Sequence, residues 1–284
     1  MSQIDAVFAT LRNSERKALI PYFTAGDPSL NHTYAILEAI TAAGADLIEV
    51  GVPFSDPLAD GPVIQRASQR ALASGTSLSK ILALVGKYRR SSEPSSGQAL
   101  HQRNSPPIVL FSYLNPIWQL GIEKFADQAR ESGVSGVLVT DLIPEEAEQI
   151  KKTFDRCDLD LIFLIAPTST DERIRKICSL ARGFIYAVSR TGTTGTRDSL
   201  SGDLKNFIAR IRKHTPLPIA VGFGISNREQ VATVWECADG AVVGSAIVRE
   251  IERSVEAHSG KIPTEVDLAK RIKGFVESLI PPRL

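Results

Sequence analysis

Cysteine, histidine and net charge are all scarce in this sequence of 284 residues, and each scarcity removes a class of function. The cysteines, Cys157, Cys178 and Cys237, are an odd three with no C-x-x-C spacing. That excludes a disulfide framework and a zinc site, suits a reducing compartment, and leaves all three as core residues. Thirty-three basic side chains face thirty-two acidic ones, a net charge of +1, so no overall field favours nucleic acid or an anionic membrane. The N-terminal stretch has no apolar h-region, and no apolar run approaches the ~20 residues of a membrane span. The expectation is a soluble intracellular protein.

What the sequence does contain is a series of short, β-rich apolar runs, at 19–24, 46–51, 108–113, 134–141, 161–166, 183–189, 217–224 and 239–245. Each is continuously apolar, as strands covered on both faces are, and most are spaced by roughly 25 residues, room for one crossover helix. Helix starts fall in the gaps: Pro144 with Glu145 and Glu146, the capping-box pairs Ser169 with Glu172 and Ser226 with Glu229, and Ser245 opening "SAIVREIE". Eight βα units predict an α/β fold, a closed (β/α)8 TIM barrel formed by residues 1–284 as one domain. Ile4, Val7, Phe8 and Leu11 share one helical face before the first strand, which predicts an extra N-terminal helix covering the barrel floor. Between the second and third strands, residues 91–107 are too rich in Ser, Pro and polar residues to pack, and read as a flexible surface insertion.

In such barrels chemistry sits at the C-terminal ends of the strands. The four histidines, His32, His101, His214 and His258, fall outside those ends and are expected to face solvent; no lysine follows a strand, so a Schiff-base nucleophile is missing too. No carboxylate or imidazole cluster has metal-ligand spacing. Two carboxylates remain. Glu49 sits inside an apolar strand, where desolvation raises its pKa toward the range useful for general acid/base work, and Asp60, on the polar loop beyond, should stay ionised. The alternatives are a structural carboxylate paired with an arginine for Glu49 and an ordinary turn residue for Asp60. Strands seven and eight end in "VGFGIS" and "VVGSAIV", whose glycines admit an anion close to backbone N–H groups at the start of a helix, a phosphate cradle, unless they only permit tight turns.

Taken together, "EVGVPFSDPLADGPVIQ" (49–65), "PYFTAGDP" (21–28), "YAVSRTGTTG" (186–195), "GFGIS" (222–226) and "VVGSAIV" (242–248) resemble the alpha subunit family of tryptophan synthase over nearly the whole chain. The resemblance implies a lyase of tryptophan biosynthesis that splits indole-3-glycerol phosphate into indole and glyceraldehyde 3-phosphate without a cofactor. It implies Glu49 as the general acid/base, Asp60 as acceptor of the indole N–H, and Tyr186 beside the glutamate. It assigns Gly195, Gly222, Gly224, Gly244 and Ser245 to the phosphate. It assigns Tyr22, Phe111, Leu138, Leu164, Phe223 and Val242 to the indole pocket, and Thr194 to a lid loop. The implied partner is a beta subunit, which carries pyridoxal phosphate, in an alpha2beta2 heterotetramer, with Asp56 on the Pro53–Asp60 loop as the point of communication. The expected compartment is the cytoplasm or, in a photosynthetic eukaryote, the plastid stroma. A lyase that works without a beta subunit, or a non-catalytic activating subunit, stays open as an alternative.

Overall fold

A computed structural model describes residues 1–91, 105–188, 197–222, 224–257 and 262–282, and of 197–201 the backbone alone. Strands β1 (Ala18–Thr24), β2 (Ile48–Gly51), β3 (Ile108–Ser112), β4 (Gly136–Val139), β5 (Asp160–Ile165), β6 (Ile185–Val188), β7 (Ile219–Gly222) and β8 (Gly240–Val243) pair in parallel and in chain order. β8 returns to β1, closing the barrel. All eight expected strands are present, each within two residues of its expected bounds.

The helices around it are α1 (Gln3–Asn13), α2 (Leu30–Ala42), α3 (Pro62–Ala73), α4 (Leu78–Ser91), α5 (Leu114–Leu120), α6 (Ile122–Glu131), α7 (Ala147–Arg156), α8 (Asp171–Leu180), α9 (Arg197–Arg212), α10 (Arg228–Trp235), α11 (Ser245–Ala257) and α12 (Glu265–Leu279). The continuous apolar runs follow from this arrangement. Leu19, Phe23 and Val50 point outward into a core shared with the helices, while Ile20, Tyr22, Val109 and Leu138 point into the barrel, so neither face of a strand meets water.

The floor is closed as the sequence predicts. Ile4, Phe8 and Leu11 of α1 are buried and join the barrel-interior cluster, Val7 packs half-buried beside them, and the Phe8 and Phe184 rings lie 5.9 Å apart. A reciprocal cap starts this helix: the Ser2 hydroxyl accepts from the Asp5 N–H at 3.1 Å, and the Ser2 N–H donates to Asp5 Oδ2 at 3.0 Å. The same hydroxyl donates to Asp160 Oδ2 at 2.5 Å at the foot of β5, and burial pushes that carboxyl up to about 6.

Several local expectations are corrected. α8 is capped by Thr170, not Ser169, and α10 by Asn227, not Ser226; in both, the cap moves one residue on to a neighbour equally able to accept the N–H bond. Pro144, Glu145 and Glu146 form a turn before α7, which starts at Ala147. His32 is buried, its Nδ1 2.8 Å from Ser29 Oγ and its Nε2 2.8 Å from the Pro263 carbonyl, so it ties α2 to the segment before α12 and does not face solvent. His214 is half-buried, and His101 and His258 lie outside the described residues. Of the cysteines only Cys157 is fully buried; Cys178 and Cys237 are half-buried. Of the expected insertion, Ser91 is the exposed last residue of α4, Pro106 and Pro107 are buried before β3, and residues 92–104 lie outside the described residues.

One charged network ties the rim together. Asp27, after β1, has no exposed surface and receives a two-pronged bond from Arg70 of α3, with Nε and Nη2 each 2.8 Å from an oxygen. Arg70 Nη1 also reaches Glu252 of α11 at 2.8 Å, and Arg66 binds the same carboxylate at 2.7 and 2.8 Å, which holds Glu252 down to about 2. Arg70→Ala leaves Asp27 buried without its counter-charge, so the unfolding free energy at pH 7 is expected to fall by roughly 3 kcal/mol. The deficit should shrink as the pH is lowered and Asp27 takes up a proton. Urea unfolding at pH 7 and pH 4.5 checks both, and equal stability of variant and wild type at pH 7 contradicts the expectation.

Candidate active site

Glu49 owes its position to the period of a very short strand. In β2, Ile48 and Val50 face the surrounding helices, so Leu47 and Glu49 face inward, with Glu49 in register between Tyr22 of β1 and Val109 of β3. Its side chain is fully buried, and neither carboxyl oxygen has a hydrogen-bond partner among the described residues. Desolvation alone pushes it up to about 8, so it is largely protonated at neutral pH. Among the described residues no arginine pairs with it, which argues against the structural-carboxylate alternative. Tyr22 and Tyr186 are buried around it, and both phenols are pushed above their ordinary value by burial, with the negative charge of Glu49 adding to the effect.

Asp60 is brought to the same cavity by the loop that follows β2. The loop is folded by tight turns, with the Leu58 N–H on the Asp56 carbonyl at 2.9 Å and the Asp60 N–H on the Pro57 carbonyl at 3.1 Å, and it runs into Gly61 and Pro62 at the start of α3. Tyr113, just beyond β3, fixes its tip: the phenol accepts from the Ala59 N–H at 2.9 Å and donates to Asp60 Oδ2 at 3.2 Å, and its ring lies 5.0 Å from that of Phe54. Burial raises Asp60 to about 6 and the Tyr113 bond opposes the rise, so the carboxylate is ionised at neutral pH, as expected, but by a narrower margin. Asp56 is exposed on the outer side of this loop, where its Oδ2 accepts from the Ser55 hydroxyl at 2.5 Å.

The cavity holds about 250 Å³, room for one small ligand. Its lining includes Glu49, Asp60 and Tyr186, Gly224, Gly244 and Ser245, and Tyr22, Phe111 and Val242. The Tyr22 and Phe111 rings meet edge-on at 5.2 Å. Leu138 and Leu164 belong to the interior packing and not to the cavity lining. Gly195, Phe223 and Thr194 lie outside the described residues.

The glycines divide into two kinds. Gly224, at φ +78°, holds a backbone that other residues rarely adopt, whereas Gly222 and Gly244 make room for tyrosines: a Cβ at 222 would collide with the Tyr186 hydroxyl, and one at 244 would sit 3.1 Å from Tyr22 Cδ1. Gly222 is outside the lining. Sequence reasoning missed Val63, Ile64, Ile225 and Arg249, which line the cavity from the starts of helices and the loop after β7. For Arg249 a signal existed, since it stands four residues after Ser245 on the same helical face. Among the described residues no three His, Cys, Asp or Glu side chains converge to hold a metal ion, and no helix is long and apolar enough to cross a membrane.

Comparison with known proteins agrees with this arrangement. The family model described as "Tryptophan synthase alpha chain" matches residues 8–276. The chain is 48% identical to the tryptophan synthase alpha chain of Geotalea daltonii over 272 residues, covering 95% of this chain and 98% of the relative. It is 49% identical to that of Geobacter sulfurreducens over 261 residues, covering 92% and 94%. The crystal structure of tryptophan synthase subunit alpha from Legionella pneumophila superposes with a TM-score of 0.85 at 35% identity, covering 98% of this chain and 97% of that one. A chain of the tryptophan synthase crystal structure from M. tuberculosis in its aminoacrylate-bound form does so with a TM-score of 0.81 at 31% identity, covering 98% of each. With a family match over almost all of its length and relatives near half identity, the chain belongs to the tryptophan synthase alpha chain family.

Proposed function

We propose that this chain cleaves indole-3-glycerol phosphate by a retro-aldol reaction, and that Glu49, Asp60 and Tyr186 carry it. The observation that bears most weight is Glu49, a fully buried carboxyl with no hydrogen-bond partner among the described residues, pushed up to about 8 in the cavity that also holds Asp60. Such a group enters the reaction as an acid. It gives its proton to the indole ring carbon that bears the glycerol chain, and the ring becomes an iminium-like cation whose N–H is hydrogen-bonded by the ionised Asp60. The Glu49 carboxylate then takes the proton of the adjacent glycerol hydroxyl. The aldehyde C=O forms, the carbon–carbon bond breaks, and its electron pair returns to the ring, releasing indole and glyceraldehyde 3-phosphate with Glu49 protonated again. The protonated ring is the electron sink, so the step needs no cofactor. Tyr113 positions Asp60, leaving Oδ1 for the indole N–H. Tyr22, Phe111 and Val242 flank the ring, and Gly224, Gly244 and Ser245 receive the phosphate at the start of α11.

Two pKa values bracket the working range. Below about 6 Asp60 gains a proton and loses the charge that steadies the cation; above about 8 Glu49 loses the proton it must give. The profile of kcat/KM against pH is therefore expected to be a bell with limbs near those values. Asp60→Asn should remove the acid limb, and Glu49→Gln should lower kcat by at least ~100-fold while substrate binding survives. Glu49→Gln has a second readout. The folded state holds the Glu49 proton more tightly than the unfolded chain, so wild-type stability falls as pH rises from the ordinary 4.5 to about 8. The variant should therefore gain melting temperature over wild type across that window, and full turnover or no stability gain counts against the role.

The proposal extends to a partner. A beta subunit carrying pyridoxal phosphate takes up the indole in an alpha2beta2 assembly, in the cytoplasm. Leu58, 93% exposed beside Asp56, and Trp118, 63% exposed on α5, put apolar surface on elements that follow the C-terminal ends of β2 and β3. Contact at Asp56 would bias where the loop holds Asp60. Isolated chain should be slow and accelerate on titration with a beta subunit, and Asp56→Ala should weaken that acceleration more than the basal rate. Equal fold acceleration of both removes Asp56 from the coupling, and none in wild type favours a lyase that acts alone.

A further inference from the structure

Arg249 stands one turn into α11, four residues after Ser245, and lines the cavity beside Gly224, Gly244 and Ser245. Among the described residues it is the only Lys or Arg in that lining, and it has no ion-pair partner. The acids next to it on α11 are already engaged, Glu250 by Arg253 at 2.7 Å and Arg271 at 2.9 Å, Glu252 by Arg66 at 2.7 Å and Arg70 at 2.8 Å. Arg249 is exposed and is thus a cation in the cavity lining without a counter-charge among the described residues.

The helix start alone is a weak anion site for this ligand. Backbone N–H groups and the dipole supply about half a unit of positive charge, against a phosphate monoester of nearly two negative units and a cavity that already holds the ionised Asp60. We propose that Arg249 supplies the missing full charge, pairing with the substrate phosphate and selecting phosphorylated over unphosphorylated substrate. The inference rests on the cleavage reaction proposed above and adds to it the group that reads the phosphate. Arg249 binds; it does not touch the reacting bond, so its effect belongs in KM and not in kcat.

The experiment compares wild type, Arg249→Gln and Arg249→Lys in steady-state cleavage of indole-3-glycerol phosphate and of its dephosphorylated form, with calorimetry of glycerol 3-phosphate and of indole. Arg249→Gln is expected to raise KM for the phosphorylated substrate by about tenfold, as loss of one charge-assisted contact does. Its kcat should stay within about twofold, and most of the discrimination against the dephosphorylated form should disappear. Arg249→Lys should recover part of the loss, and the deficit should narrow at high salt. Glycerol 3-phosphate should bind more weakly to Arg249→Gln while indole binds unchanged. An unchanged KM with unchanged glycerol 3-phosphate affinity overturns the proposal, as does a parallel loss of indole and glycerol 3-phosphate binding, which would mark a structural role. Wild type that cleaves nothing would remove the reaction, and the glycerol 3-phosphate comparison would still decide Arg249.

Discussion

The chemistry proposed for this barrel depends on the removal of one carboxyl group from water. Glu49 is surrounded by apolar and aromatic side chains and given no donor among the described residues, so its neutral form is favoured and its proton is available near neutral pH. The arrangement depends on the alternation of a four-residue strand, since a shift of one residue would turn Glu49 into the helix layer and bring Val50 inside. It depends also on glycines placed for their lack of a side chain. The ring of Tyr186 occupies the space a Cβ at Gly222 would need, and Tyr22 does the same over Gly51 and Gly244. Bulk is thereby concentrated around the carboxyl from strands on several sides.

The two ends of the proposed ligand site lie on elements that are themselves joined. Asp60 leads directly into α3, and the proposed phosphate position is at the start of α11; Arg66 and Arg70 of α3 both grip Glu252 of α11, and Arg70 also grips the buried Asp27 after β1. Ion pairs of this kind contribute modest net stability, because desolvation offsets attraction, but they fix geometry sharply. That clamp ties the helix that follows Asp60 to the helix that begins at Ser245.

The barrel was legible in the sequence because every strand is buried on both faces, which leaves an apolar run whatever the local register. Helix caps were legible only to within a residue: Ser169 and Thr170, or Ser226 and Asn227, can each accept the same N–H bond, and tertiary packing chooses. His32 was misread because burial of a helix-start residue by the distant Pro263 segment leaves no local mark. At the site, Glu49 and Asp60 stood out as carboxylates in unlikely surroundings. Tyr113 could be placed at a strand end, but its bonds to Ala59 and Asp60 required knowing how the loop folds back. The glycines at 222 and 244 suggested an anion, although their immediate use is to admit two tyrosines.

The closed floor has a consequence for traffic. With Ile4, Phe8 and Leu11 sealing the lower end and interior side chains filling the layers above, the described residues leave no passage through the floor. A ligand that entered at the rim would have to leave at the rim, so a fresh molecule could settle only after both fragments had gone. A protein seated on that rim would be a gatekeeper as much as a recipient: unless it offered a passage of its own, every docking would also be a queue.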